Sequence, residues 1–270
     1  MAHTFIFLTA VVYSVSWGFY THFLREGRLV IGRIASVLLA AGVVLHYFAL
    51  LERARALHTV PYNDLYGSMS LFGWLLALTY LALEIYHRQR SVGAFVLPFI
   101  IAFFLAAHLS PAGRVVATAA HGVIFALHIT LSILAYAAFA LSCVFSLIFL
   151  AEERLLRSHK MADVVWRLPS LELLQRMSQS SVLVGIISIA IGTAFGFVWV
   201  DRLTGQFWHF DSKYVATLIV LALYAAYFYF SRSAAWRGSR ASRFCIINFV
   251  VVILSFTVVN LFFSQTHRYF

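Results

Sequence analysis

Eight long apolar runs divide the chain at near-regular intervals, roughly 4–22, 30–51, 66–86, 92–109, 127–150, 180–200, 214–231 and 244–264. About 20 apolar residues in helical conformation cross a hydrocarbon core of about 30 Å. Inside lipid, only helices and closed barrels satisfy their own backbone. The runs are continuous rather than alternating, which excludes a barrel. The expectation is an all-α polytopic membrane protein of about eight transmembrane helices. No internal repeat or low-complexity linker interrupts the pattern, so residues 1–270 read as a single transmembrane domain. Only 11% of residues are charged, against about a quarter in soluble proteins. The excess of +10 in basic residues is therefore read against the bilayer rather than as a nucleic-acid surface.

Basic residues fall unevenly between the loops. Fourteen lie in alternate connections: Arg25, Arg28 and Arg33; Arg88 and Arg90; Arg154, Arg157, Lys160, Arg167 and Arg176; Arg232, Arg237, Arg240 and Arg243. The six others are Arg53, Arg55, Arg114, Arg202, Lys213 and Arg268. By the positive-inside rule the richer side is cytoplasmic, both termini face outward, and the chain sits in the inner (cytoplasmic) membrane. The stretch "MAHTFIFLTAVVYSVSWGFY" has neither a basic lead nor a small-x-small cleavage site and reads as a retained first helix. Cys143 and Cys245 lie inside apolar runs and form no CxxCH motif, so the chain is not itself a c-type cytochrome. The connection from residue 151 to 181 mixes charge with Leu and Val at helical spacing and reads as an amphipathic segment along the cytoplasmic surface or, more simply, as a solvated helical hairpin.

Topology also sorts the histidines. From Val115 to Leu150 there are 36 residues without a formal charge, about 54 Å as one helix. Counting back about 22 residues from Glu152, Glu153 and Arg154 puts the outer boundary near His128. His121 lies two helical turns before it. His267 follows the last run on the same side, and the loop "GQFWHFDSK" lies there too. Two histidines from distant helix ends beside an aromatic loop meet the requirement of a bis-histidine haem site. Interfacial polar tips and belt aromatics are the other reading of the same residues. His46 lies within the second run, where an ionisable residue is either functional or satisfied by a neighbour. His58 and His108 are on the outer side and either join that layer or face water, and His209 lies in the aromatic loop.

Several stretches resemble the cytochrome c assembly family, the CcsA, ResC and CcmC type of haem-handling membrane proteins. "GFVWVDRLTGQFWHFDSK" is similar to that family's tryptophan-rich signature, with matches at Gly196, Trp199, Gly205, Trp208, Asp211 and Lys213. Phe210 and Thr204 stand where the family has tryptophans, Ser212 stands for Pro and Tyr214 for Glu. "LHTVPYNDLYGSMSLFGW", "LHITLSILAYAAFALSCVFSLIFL" and "FFSQTHRYF" resemble further family stretches in the correct order, so the resemblance runs from about residue 46 to 270.

That resemblance implies haem b held non-covalently at the outer face, with His128 and His267 as axial ligands of the iron and Trp199, Trp208, Phe210 and Asp211 shaping the pocket. It implies delivery of haem to apocytochrome c beside a ResB-type membrane partner. The chain is then at most the haem-presenting part of a cytochrome c haem lyase. His46, His58, His121 and His209 are the weaker candidates. Phe230 occupies the place of an inner-side histidine found in larger members, so an inner haem site is not expected through it. Two alternatives stand: a HemX-like accessory protein acting on haem synthesis or abundance, and a structural membrane subunit whose degenerate site holds no haem.

Overall fold

A computed structural model describes residues 2–57, 64–109, 122–158, 167–205 and 212–258. The described residues form eight helices and no strand: α1 (Ala2–Glu26), α2 (Leu29–Leu57), α3 (Leu65–His87), α4 (Gly93–Leu109), α5 (Val123–Arg157), α6 (Leu171–Thr204), α7 (Ser212–Phe230) and α8 (Ser239–Val258). Among them, α1, α2, α3, α5 and α6 are long and apolar enough to cross a membrane; α4 and α7 are shorter apolar helices. The chain is a polytopic, all-helical membrane protein.

Helix boundaries depart most from expectation at α5 and α6. These have 35 and 34 residues, about 50 Å each, well beyond the hydrocarbon thickness. In the stretch at 151–181 the described residues prolong both helices, in keeping with the helical-hairpin reading rather than a separate surface segment. Residues through Arg157 prolong α5, and α6 opens at Leu171 behind Ser170, whose Oγ accepts from the Leu173 amide at 3.3 Å. A hydropathy run marks the lipid-buried part of a helix and not its end. The charged turn Glu152–Glu153–Arg154 continues helically because nothing there breaks it. At its far end α6 stops at Gly205, in the left-handed region with φ 67, whose amide returns to the Asp201 carbonyl.

Neighbouring helices run antiparallel, as their cross-contacts show. Ser16 meets the Ala35 carbonyl, Trp74 the Val43 carbonyl, Trp17 the Ala94 carbonyl, Ser181 the Ala138 carbonyl and Asn248 the Leu223 carbonyl. The helix ends therefore form two layers. A first layer gathers the start of α1, the end of α8 and the ends around the α2–α3, α4–α5 and α6–α7 connections. A second gathers the other ends, and carries the basic residues of the α1–α2, α3–α4, α5–α6 and α7–α8 connections.

Two groups of four helices, α1–α4 and α5–α8, are joined by a shared core in which α3 packs on α5. In α1–α4 large rings fill the interior: Tyr13, Tyr20, Tyr80 and Phe104 are buried. Gly42 and Gly93 admit the rings of Tyr13 and Tyr20, and a Cβ at either glycine would lie about 2.5 Å from ring carbons. In α5–α8 rings are buried as well, and glycines of α6 bring it close to α5. Phe139 stacks on Tyr224 at 3.7 Å between centroids, and Gly185 makes room for it. Close approach through glycine and serine is how helices pack where lipid supplies no hydrophobic drive. Between the groups, His87 Nε2 meets Ser180 Oγ at 3.0 Å and Arg167 reaches the Leu24 carbonyl.

Candidate functional site

The α5–α6 seam carries three glycines of α6 on the face turned to α5: Gly185, Gly192 and Gly196. At Gly192 a Cβ would lie 3.2 Å from Leu131 Cβ; at Gly196 it would lie 2.8 Å from the His128 ring. His128, one turn into α5 and half-buried, is thereby laid flat against the α6 backbone. Its Nδ1 is 2.7 Å from the Gly192 carbonyl.

That bond fixes the tautomer. A carbonyl oxygen only accepts, so Nδ1 carries the proton. The neutral ring then presents its lone pair at Nε2, the atom through which imidazole binds a metal, and the carbonyl contact is the kind of outer support that orients metal-ligating histidines. One turn further toward the first layer, Phe125 and Trp199 meet across the same seam with centroids 4.6 Å apart, inclined by 43°. Helical spacing from His128 back to Phe125 and from Gly196 on to Trp199 puts imidazole and indole in adjacent strata of one helix pair. Below them, Ser132 Oγ donates to the His128 carbonyl at 2.7 Å. Ser132 and Ile129 also line an apolar cavity of about 510 Å³ between α3, α4, α5 and α8. This volume lies within the range of small-molecule pockets, and the lining offers an apolar ligand room but iron no imidazole.

Of the expected site residues, the structure thus brings His128 and Trp199 to one seam. His267, Trp208, Phe210, Asp211, His58, His121 and His209 lie outside the described residues. His46 is elsewhere, in the α1–α4 group and fully buried. One of its ring nitrogens meets Tyr13 Oη at 3.3 Å and the other Ser70 Oγ at 3.0 Å. Phe104 packs edge-on against it at 4.8 Å. Both ring nitrogens of His46 therefore have partners among the described residues. Among the described residues, no three His, Cys, Asp or Glu side chains converge as a metal site.

Sequence reading passed over Gly192 as a partner. The signal was there, since Gly192 and Gly196 are four apart, the spacing of small residues that lets transmembrane helices touch. Nothing in that spacing reveals that the opposing element carries a histidine 64 residues earlier.

Antiparallel apolar helices, with an oriented imidazole and an indole at one end of their tightest seam, define a polytopic helical membrane protein. Its affiliation is specific. The family described as Cytochrome C assembly protein matches residues 62–267, most of the chain, and the chain belongs to that family. Membership ties it to cytochrome c maturation. It is 24% identical over 256 residues to "Protein HemX" of Brevibacillus brevis, covering 92% of each chain. It is 26% identical over 263 residues to "Cytochrome c biogenesis protein CcsA" of Synechococcus sp. (strain CC9902), covering 87% of this chain and 84% of that one. A CcsA of Chlorella vulgaris is 23% identical over 243 residues, with 77% of each covered.

Proposed function

We propose that this protein binds haem as cargo at the first-layer end of the α5–α6 seam and presents it for attachment to apocytochrome c. The carrying observation is the hydrogen bond from His128 Nδ1 to the Gly192 carbonyl, which orients the ring and leaves Nε2 to ligate. His267 is the proposed second ligand, and Trp199, with Trp208, Phe210 and Asp211 of the following loop, borders the macrocycle. Bound there, haem supplies an iron that takes two imidazoles and a vinyl-bearing ring that a cytochrome's thiols can attack. The residues of this chain hold and orient it. His128 fixes the iron's position along the seam, and Trp199 offers an aromatic surface at the rim. In this reading the first layer faces outward, the basic second layer is cytoplasmic, the membrane is the inner membrane, and a ResB-type protein receives the apocytochrome.

The absorption spectrum of the purified protein tests this reading. A Soret band with six-coordinate, low-spin features and no more than one haem per chain is expected. A protein without such a band would refute the haem reading. A second reading rests on the end-to-end likeness to Protein HemX: an accessory protein that acts on haem abundance. It is favoured if deletion changes cellular haem while the purified protein holds none.

A further inference from the structure

Two buried polar atoms at the first-layer rim of the α1–α4 group have no hydrogen-bond partner among the described residues: Arg53 Nε and His108 Nε2. Their characters are complementary. Nδ1 of His108 lies 2.7 Å from the Phe104 carbonyl and so carries the proton, which makes Nε2 an acceptor. The guanidinium Nε–H is always a donor. Both groups lie against one ring. Arg53 Cζ is 3.8 Å from the Tyr66 centroid, and the His108 ring is 5.0 Å from it. The charge of Arg53 is already balanced by Asp64, whose carboxylate is 3% exposed and whose other oxygen accepts from the Gly67 amide at 2.9 Å. A group completing this site must take a hydrogen bond from Arg53 and give one to His108 without adding net charge.

The geometry points to a receptor for a carboxyl group, formed by Arg53, Tyr66 and His108. A carboxylic acid accepts through one oxygen and donates through the other. If its proton passes to Nε2 of His108, a carboxylate remains between two cations and the net charge is unchanged. A phosphodiester offers acceptors only and brings a full charge. A single hydroxyl must serve both roles with one oxygen, whereas a carboxylic acid divides them between two. The carboxyl comes either from a porphyrin propionate or from a membrane fatty acid. Only the first source rests on the haem reading.

The test uses the full chain in phosphatidylcholine nanodiscs, with empty discs as blank. Binding of protoporphyrin IX and of its dimethyl ester is followed by fluorescence in the parent, His108→Phe and Arg53→Gln. Iron-free porphyrin reads the carboxyl contact whatever becomes of His128. The parent should hold the diacid at least about tenfold tighter than the ester, the scale of a hydrogen bond to a charged group. Both variants should lose that preference. Palmitate binding that needs Arg53 and His108, with acid and ester porphyrin held alike, would assign the same site to a fatty acid. Equal porphyrin binding together with palmitate binding unchanged in the variants would overturn the proposal. Should Arg53→Gln misfold because Asp64 loses its partner, the parent and His108→Phe decide alone. A parent that prefers the diacid yet shows no six-coordinate haem spectrum would reject the haem reading and leave this one standing.

Discussion

The two groups of four helices bury polarity in different ways. In α1–α4 the interior polar atoms are committed to one another. Glu84, 2% exposed, takes Tyr20 Oη at 2.6 Å and Tyr80 Oη at 2.8 Å on one oxygen and the Ser36 hydroxyl on the other, with Arg90 beyond. One residue thus ties α1, α2, α3 and the α3–α4 connection together. His46 is committed likewise, and the exceptions, Arg53 and His108, sit at the rim. In α5–α8 the interior holds small hydroxyls and thiols. Ser178 meets Tyr227 Oη at 3.0 Å, Cys245 donates to Ser142 at 3.2 Å, and Ser181 reaches the Ala138 carbonyl at 2.7 Å. These contacts let backbones approach closely. At the end of that close seam stands an imidazole oriented through one nitrogen only. A histidine tied at both nitrogens, as His46 is, acts as a cross-brace between helices, whereas one held through Nδ1 keeps Nε2 for the proposed ligation. The first group reads as scaffold and the second as the holder of the proposed cargo.

The largest expected effect breaks the scaffold. Glu84→Ala leaves two buried phenols, a serine hydroxyl and Arg90 without their common acceptor, a loss on the order of 3–5 kcal/mol. Thermal unfolding should move sharply downward, while any haem that the folded fraction retains keeps the parent's spectrum. A changed spectrum at full stability would reverse the assignment of roles.

Gly196→Ala comes next and acts on the holder. Its Cβ would stand 2.8 Å from the His128 ring, so ring or helix must shift. Small-to-large changes in a close-packed interior cost about 1–3 kcal/mol. Haem retention should fall, with altered ligand-field bands, by more than the change in thermal stability accounts for. Loss of stability with an unaltered spectrum would show that the seam does not orient the ligand.

Smaller again is Trp199→Ala. It removes a ring contact of roughly 0.5–1.5 kcal/mol beyond its area, up to about tenfold in affinity, and leaves both proposed ligands in place. Weaker retention with six-coordinate features intact is expected in a haem titration. Conversion to a five-coordinate spectrum would mean that the indole positions His128 rather than bordering the macrocycle.

Much of the fold was legible because lipid imposes one rule, and a run of about 20 apolar residues satisfies it visibly. All eight helices lie where the runs do. The helical spacing past Arg154 and before Gln179 was legible, but the ends of α5 and α6 were not, since helix termination outside lipid depends on caps such as Ser170 rather than on hydropathy. His128 could be singled out because the charged turn at Glu152–Arg154 set its depth. Its partner could not. The facing of helices is decided by packing between residues far apart in sequence, as with Gly192 and His128, or Tyr13 and His46. For the same reason depth alone left both readings of His46 open.

The contrast between the two histidines is the claim most directly open to measurement. His128→Ala and His46→Ala should be purified side by side and their haem content and absorption spectra recorded with and without added imidazole. The expected result is asymmetric. His128→Ala loses haem or becomes five-coordinate and is partly restored by imidazole, which fills the vacated position. His46→Ala keeps the parent's spectrum, with lower thermal stability because Tyr13 and Ser70 lose their partner. A five-coordinate, imidazole-rescued spectrum from His46→Ala, with His128→Ala unchanged, would contradict the division of the molecule into scaffold and holder.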